Sequence, residues 1–110
     1  KIIIMLMSFT GDENHGITLA AASQLTANYR NSHPATAVKG FYYGKQAIMS
    51  ILTQENCVGI RIYYAQDSDA VPTLVITGVD ASGNDLYEGQ LAEFGHKSPP
   101  YNSNPNPLNS

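Results

Sequence analysis

One cysteine, Cys57, stands in a chain of 110 residues. An intramolecular disulfide is therefore impossible. A lone thiol inside an apolar run reads as a small buried hydrophobe, and a reduced, cytoplasmic setting fits it best. Charge is also scarce. Asp, Glu, Lys and Arg supply 14% of the residues, against about 25% in ordinary globular domains. That low charge keeps a secreted or surface-assembled role open. The six basic residues, Lys1, Arg30, Lys39, Lys45, Arg61 and Lys97, are scattered, and the net charge is -3. Without a basic stripe, duplex nucleic acid is not an expected partner. Without a cationic amphipathic helix, neither is a membrane surface. The apolar run Ile2–Met7 is too short to span a bilayer. It follows Lys1 as in a signal peptide, but Gly11-Asp12-Glu13-Asn14-His15 breaks it before any small-residue cleavage site. A β-strand, or an arm that packs on something, is the preferred reading for residues 1–10.

Polarity comes instead from Asn, Ser, Thr, Gln and Tyr. A surface of this kind repels its neighbours weakly and tolerates self-association. The chain length suits one domain with its own core. Thr18–Arg30 reads as a helix, with Thr18 as cap and Ala22, Leu25 and Tyr29 on one face. Asn31-Ser32-His33-Pro34 ends it. Pro34–Phe41 suits a short helical turn. Gly40 and Gly44 then bracket Phe41-Tyr42-Tyr43. Lys45–Gln54 is expected as a second helix, with Ala47, Ile48, Ile51 and Leu52 as its apolar stripe and Asn56 as a left-handed stop.

From Cys57 the period changes to two. Val58, Ile60, Ile62 and Tyr64 fall on one face of a strand, and Cys57, Gly59, Arg61 and Tyr63 on the other. Gln66–Pro72 is a polar loop. Thr73–Val79 is β-branched and apolar on both faces, which predicts a central strand. Asp80–Asp85 reads as a turn, and Leu86–Phe94 as a third strand closing the hairpin. The Pro- and Asn-rich residues 98–110 read as an extended, polyproline-like tail. Such a tail is disordered unless docked on its own domain or on a neighbouring copy.

Four segments carry a resemblance: Leu25-Thr26-Ala27-Asn28-Tyr29-Arg30, Gly44-Lys45-Gln46-Ala47-Ile48, Cys57-Val58-Gly59-Ile60-Arg61-Ile62-Tyr63 and Gly78-Val79-Asp80-Ala81-Ser82-Gly83-Asn84-Asp85-Leu86. In that order the chain resembles a group of small, uncharacterised bacterial proteins over roughly residues 17–108. The Cys-Val-Gly-Ile-Arg and Gly-Asn-Asp-Leu elements are the most specific parts. The resemblance implies no activity. Members of the group often end in Cys-Pro-Pro-x-Cys, whereas Ser98-Pro99-Pro100-Tyr101-Asn102 stands here without either cysteine. Any metal or redox role of that element would lack its ligands.

No catalytic or metal motif survives scrutiny, and no cofactor is implied. His15, His33 and His96 have no metal-ligand spacing among themselves. Asp67-Ser68-Asp69 and Asp80–Asp85 fail the calcium-loop pattern of oxygen ligands, glycine and terminal glutamate. Cys57 has no sequence-local His, and Ser82-Gly83 reads as a hairpin tip rather than a strained strand-to-helix elbow. Glu88 and Glu93 point to opposite faces of an extended segment. The candidates that remain are Arg61 and Tyr63, mid-strand, with Tyr42 and Tyr43 in the glycine-bracketed connection. A guanidinium among tyrosines suits a carboxylate, a phosphate or an interface. The bland alternative is an internal ion pair from Arg61 to Asp80, Asp85 or Glu88.

The expected fold is α+β: two N-terminal helices packed on one face of a three- to four-stranded antiparallel sheet. Residues 1–97 form its single domain and residues 98–110 its tail. Two helices cover one face only, so the Arg61 face is expected to need a cover from a terminus or another subunit. The leading expectation is thus a non-enzymatic, self-associating module whose partner is itself or another protein. The alternative is a small-molecule binding domain, or modest enzyme, with a helix/sheet pocket around Arg61, Tyr43 and Tyr63.

Overall fold

The computed structural model describes residues 8–110. The expected strand or arm at Ile2–Met7 lies outside the described residues. The chain is α+β, with helices α1 (Leu19–Asn31) and α2 (Lys45–Leu52). Its strands are β1 (Gly40–Tyr42), β2 (Gly59–Gln66), β3 (Pro72–Val79), β4 (Leu91–Ala92) and β5 (His96–Ser98). They form two antiparallel sheets, one of order β2-β3-β4 and one of order β1-β5. The chain divides into two compact units. Described residues up to Glu13 group with Tyr43–Gly95, and Asn14–Tyr42 group with His96–Ser110. The expected boundary between residues 97 and 98 falls inside β5.

In the first unit, β2 and β3 pair over their full length, from Gly59 opposite Val79 to Gln66 opposite Pro72. The Asp67 carboxylate closes their loop by accepting from the amides of Asp69 and Val71. The β-branched, two-sided run of β3 is central, as its sequence predicts. Ile76, Thr77 and Val79 are each 3% exposed. On one face Ile76 meets Ala92 of β4 and Ile51 of α2, with Tyr43, Ile48 and Cys57 packed around them. α2 has a single buried residue, Ile51. Of the stripe expected on it, Ile48 joins the core while Ala47 and Leu52 stay exposed.

The third strand departs from its expectation of Leu86–Phe94. Only Leu91–Ala92 pairs with β3, together with an isolated bridge from Asp85 to Val79. The reason lies in Gln54, just past α2. Its Oε1 accepts from the amide of Gln90 at 2.7 Å, so that amide is taken by a side chain instead of a ladder. A Cβ on Gly89 would sit 2.1 Å from the same Oε1. The bare backbone there is what admits the glutamine.

In the second unit, Thr18 caps α1 by accepting from the amide of Ala21 at 3.1 Å. None of the helix residues is buried. Ser32 and His33 close its C-terminus on the carbonyls of Asn28, Tyr29 and Arg30, and the His33 ring stacks on Tyr29 at 3.8 Å. β1 runs from the end of Pro34–Phe41, expected as a short helical turn, into the glycine-bracketed connection, and β5 ends on Ser98, the first residue of the expected tail. Beyond β5 the chain runs in turns and bends rather than extended. Asn106 organises these turns. Its Nδ2 donates to the carbonyl of Asn104, its Oδ1 accepts from the amide of Leu108, and its carbonyl accepts from the amides of Asn109 and Ser110. Arg30 of α1 donates to the carbonyl of Leu108 at 2.7 Å, which ties these turns to the helix.

Candidate functional site

Arg61 and Tyr63 project from one face of β2 because their separation is two. In register they stand opposite Thr77 and Val75 of β3. Asp85 reaches the same place from the other side of β3, through its bridge to Val79. The intervening turn is built by Asp80, whose Oδ1 accepts from the amides of Ser82 and Asn84 at 2.9 Å. Gly83 supplies the left-handed residue that the turn requires, at φ 84°. The Arg61 guanidinium therefore crosses β3 to reach Asp85 Oδ1, and it donates to the Gly83 carbonyl at 3.2 Å. The Tyr63 hydroxyl donates to the other carboxylate oxygen. Thr77, opposite Arg61, and Val79, bridged to Asp85, are both buried.

The electrostatics follow from those contacts. The Tyr63 hydroxyl and the Arg61 guanidinium hold the Asp85 carboxyl below the usual aspartate range, although partial desolvation works against them. Asp85 in turn raises the pKa of Arg61 and of Tyr63, in both cases chiefly through its hydrogen bond. Of the three carboxylates considered for Arg61, the fold selects Asp85. Both Asp85 oxygens are engaged, so an incoming anion must displace a partner already in place.

The other two candidates stand elsewhere. Tyr43 packs with Ile51 and Ile76, on the face of β3 opposite Arg61. Its hydroxyl donates to the Leu74 carbonyl at 3.1 Å. Burial raises its pKa, and the charge of Glu93 adds to the effect. Tyr42 belongs to the other unit, where its ring meets His96 edge-on at 5.8 Å. Only Arg61 and Tyr63 are brought together. A groove of about 560 Å³ runs along α2 and β4, lined by residues such as Ala47, Ser50, Val75, Leu91, Glu93 and Phe94. None of the four candidates lines it. Among the described residues, no group of His, Cys, Asp and Glu is arranged to hold a metal ion. No described helix is long and apolar enough to cross a membrane.

On the Arg61 face Thr77 is buried, and the Ile2–Met7 arm expected as one of that face's covers lies outside the described residues. Polar contacts from Arg61 and Tyr63 to Asp85 run across that face. The uncovered apolar surface is on β2 itself. Ile60, Ile62 and Tyr64, the row expected to be inside, are 39%, 51% and 97% exposed. α2 is eight residues long and seats its one buried side chain, Ile51, on Ile76 of the central strand. Alternation in the sequence assigns residues to faces and carries no information about which strand is an edge. Against known protein families, curated proteins and solved structures, the chain gives no match.

Proposed function

We propose that the chain is a non-enzymatic, self-associating protein-interaction module. One observation carries this reading. β2 is an edge of its sheet among the described residues, and it leaves Ile60, Ile62 and Tyr64 uncovered. Monomeric proteins seldom leave a long apolar edge open, because its amides, carbonyls and side chains are a template for another strand. α1 adds to the surface in need of a partner, since Leu19, Leu25 and Tyr29 of its amphipathic pattern are exposed. The low charge lets such surfaces approach one another. A pocket around Arg61 is the weaker reading, because Asp85 already holds the guanidinium. Sedimentation velocity across a hundredfold range of concentration tests the proposal. A dimer or larger species that dissociates on dilution is expected. A single monomeric boundary throughout that range would count decisively against it.

A further inference from the structure

We propose that β2 is the seam of a two-fold dimer, pairing antiparallel with the β2 strand of a second copy about an axis at Ile62. This inference rests on the self-association reading and supplies its surface and register.

Natural edge strands are kept apart by lysine, proline, bulges or shortness. β2 has none of these devices. It is eight residues long, contains neither Lys nor Pro, and keeps an unbroken register with β3. Its one charge, Arg61, is turned across β3 and matched there by Asp85. Two copies of this edge therefore meet without net repulsion.

Face and strand length then select the register. An axis perpendicular to the sheet joins like faces, so the exposed row Ile60, Ile62, Tyr64 continues into the same row of the partner. An axis lying in the sheet plane would set that row against the Arg61 and Tyr63 row instead. For the perpendicular axis, one residue of β2 faces its own copy. Centring on Arg61 would pair only residues 59–63 within β2 and set Tyr64 against Val58, before the strand begins. Centring on Tyr63 would spend Ile60 on the partner's Gln66. Centring on Ile62 sets Ile62 against the partner's Ile62 and Ile60 against the partner's Tyr64. This arrangement alone covers the whole exposed row with apolar side chains from within β2, and it gives Tyr64, almost fully exposed in the single chain, a place to pack.

Disulfide trapping tests the register. At the axis the two Cβ atoms would lie about 5 Å apart, near enough for a disulfide after small adjustment. Two copies of residue 64 would be offset by four residues along the strands, about 13 Å, which is out of reach. Under mild oxidation, Ile62→Cys should form linked dimer about tenfold faster than Tyr64→Cys, or than the unsubstituted chain through Cys57, with the linkage mapped by peptide mass spectrometry. Tyr64→Lys, at a position whose exposure protects the fold, should weaken association about tenfold by sedimentation equilibrium while leaving the circular dichroism spectrum unchanged. If the chain self-associates but Tyr64→Cys links as fast as Ile62→Cys, or Tyr64→Lys associates as tightly as the parent, this seam is wrong and the module reading survives. A chain that stays monomeric overturns both.

Discussion

Asp85 shows how much one residue can organise. Its carboxylate collects Arg61 and Tyr63 from β2 across the central strand, and so clamps the turn after β3 onto the sheet. Asp85→Asn removes the charge and one of the two acceptor oxygens that hold the guanidinium and the hydroxyl, and should lower the thermal midpoint. The pH dependence has a definite sign. A carboxyl whose folded pKa lies below its unfolded value of 3.8 contributes fully above that value. It loses the contribution as pH falls through the folded pKa. The parent should therefore lose stability below about pH 4 more steeply than Asp85→Asn, so that the two melting midpoints converge in acid. Parallel curves for the two proteins would refute the clamp. Gly83 is the second residue on which the turn depends. It is buried with φ at 84°, so Gly83→Ala should cost about 1–2 kcal/mol in denaturant unfolding, from strain alone.

The two helices test different physics. α1 has a cap, an i to i+4 bond from Gln24 to Asn28, and no buried residue. Local terms should therefore weigh heavily in its stability, since tertiary burial adds little. Thr18→Ala removes the acceptor for the Ala21 amide and should cost about 1 kcal/mol, visible as reduced helicity at 222 nm. α2 is too short to be stable on its own and depends on Ile51. Ile51→Ala should cost about 2–5 kcal/mol, measured by urea unfolding, because so small a core has little with which to refill the cavity. β4 is cut to two residues by a single side chain, Gln54, which takes a backbone amide that a longer strand would have paired. Gln54→Ala should leave that amide without its protein acceptor and speed its hydrogen exchange, which heteronuclear NMR can follow at Gln90.

At the scale of the molecule, the described core is confined to Ile51, Ile76, Val79 and Ala92 with the buried Thr77. Large apolar side chains remain outside it on β2, on α1 and beside β4. A core this small contributes modest hydrophobic stabilisation, at about 25 cal/mol per Å² of apolar area buried. Burial of the β2 row on association should then add appreciably to stability. The thermal midpoint should rise with protein concentration, as expected when binding favours the folded state, and Tyr64→Lys should move that rise to about tenfold higher concentration. A midpoint independent of concentration in the parent would contradict it.

Local chemistry made much of this legible beforehand. Thr18 and Pro34 bracket α1 because a hydroxyl satisfies free amides and a proline cannot continue a helix. The β-branched run of β3 declares a strand apolar on both faces, and Asp80–Asp85 declares its turn. Arg61 and Tyr63 stand out because a charge and a hydroxyl interrupt an apolar alternation. Tertiary structure alone decided the rest. Pairing of β1 with β5 joins residues more than fifty positions apart through three-residue strands, too short to show a period. The choice of Asp85 for Arg61, the interruption of β4 by Gln54, and the exposure of β2 all depend on which segment comes to lie beside which. A periodic pattern states how a segment would like to be buried. Whether a neighbour arrives to bury it is a property of the whole chain, and for Ile60, Ile62 and Tyr64 no described element arrives to cover them.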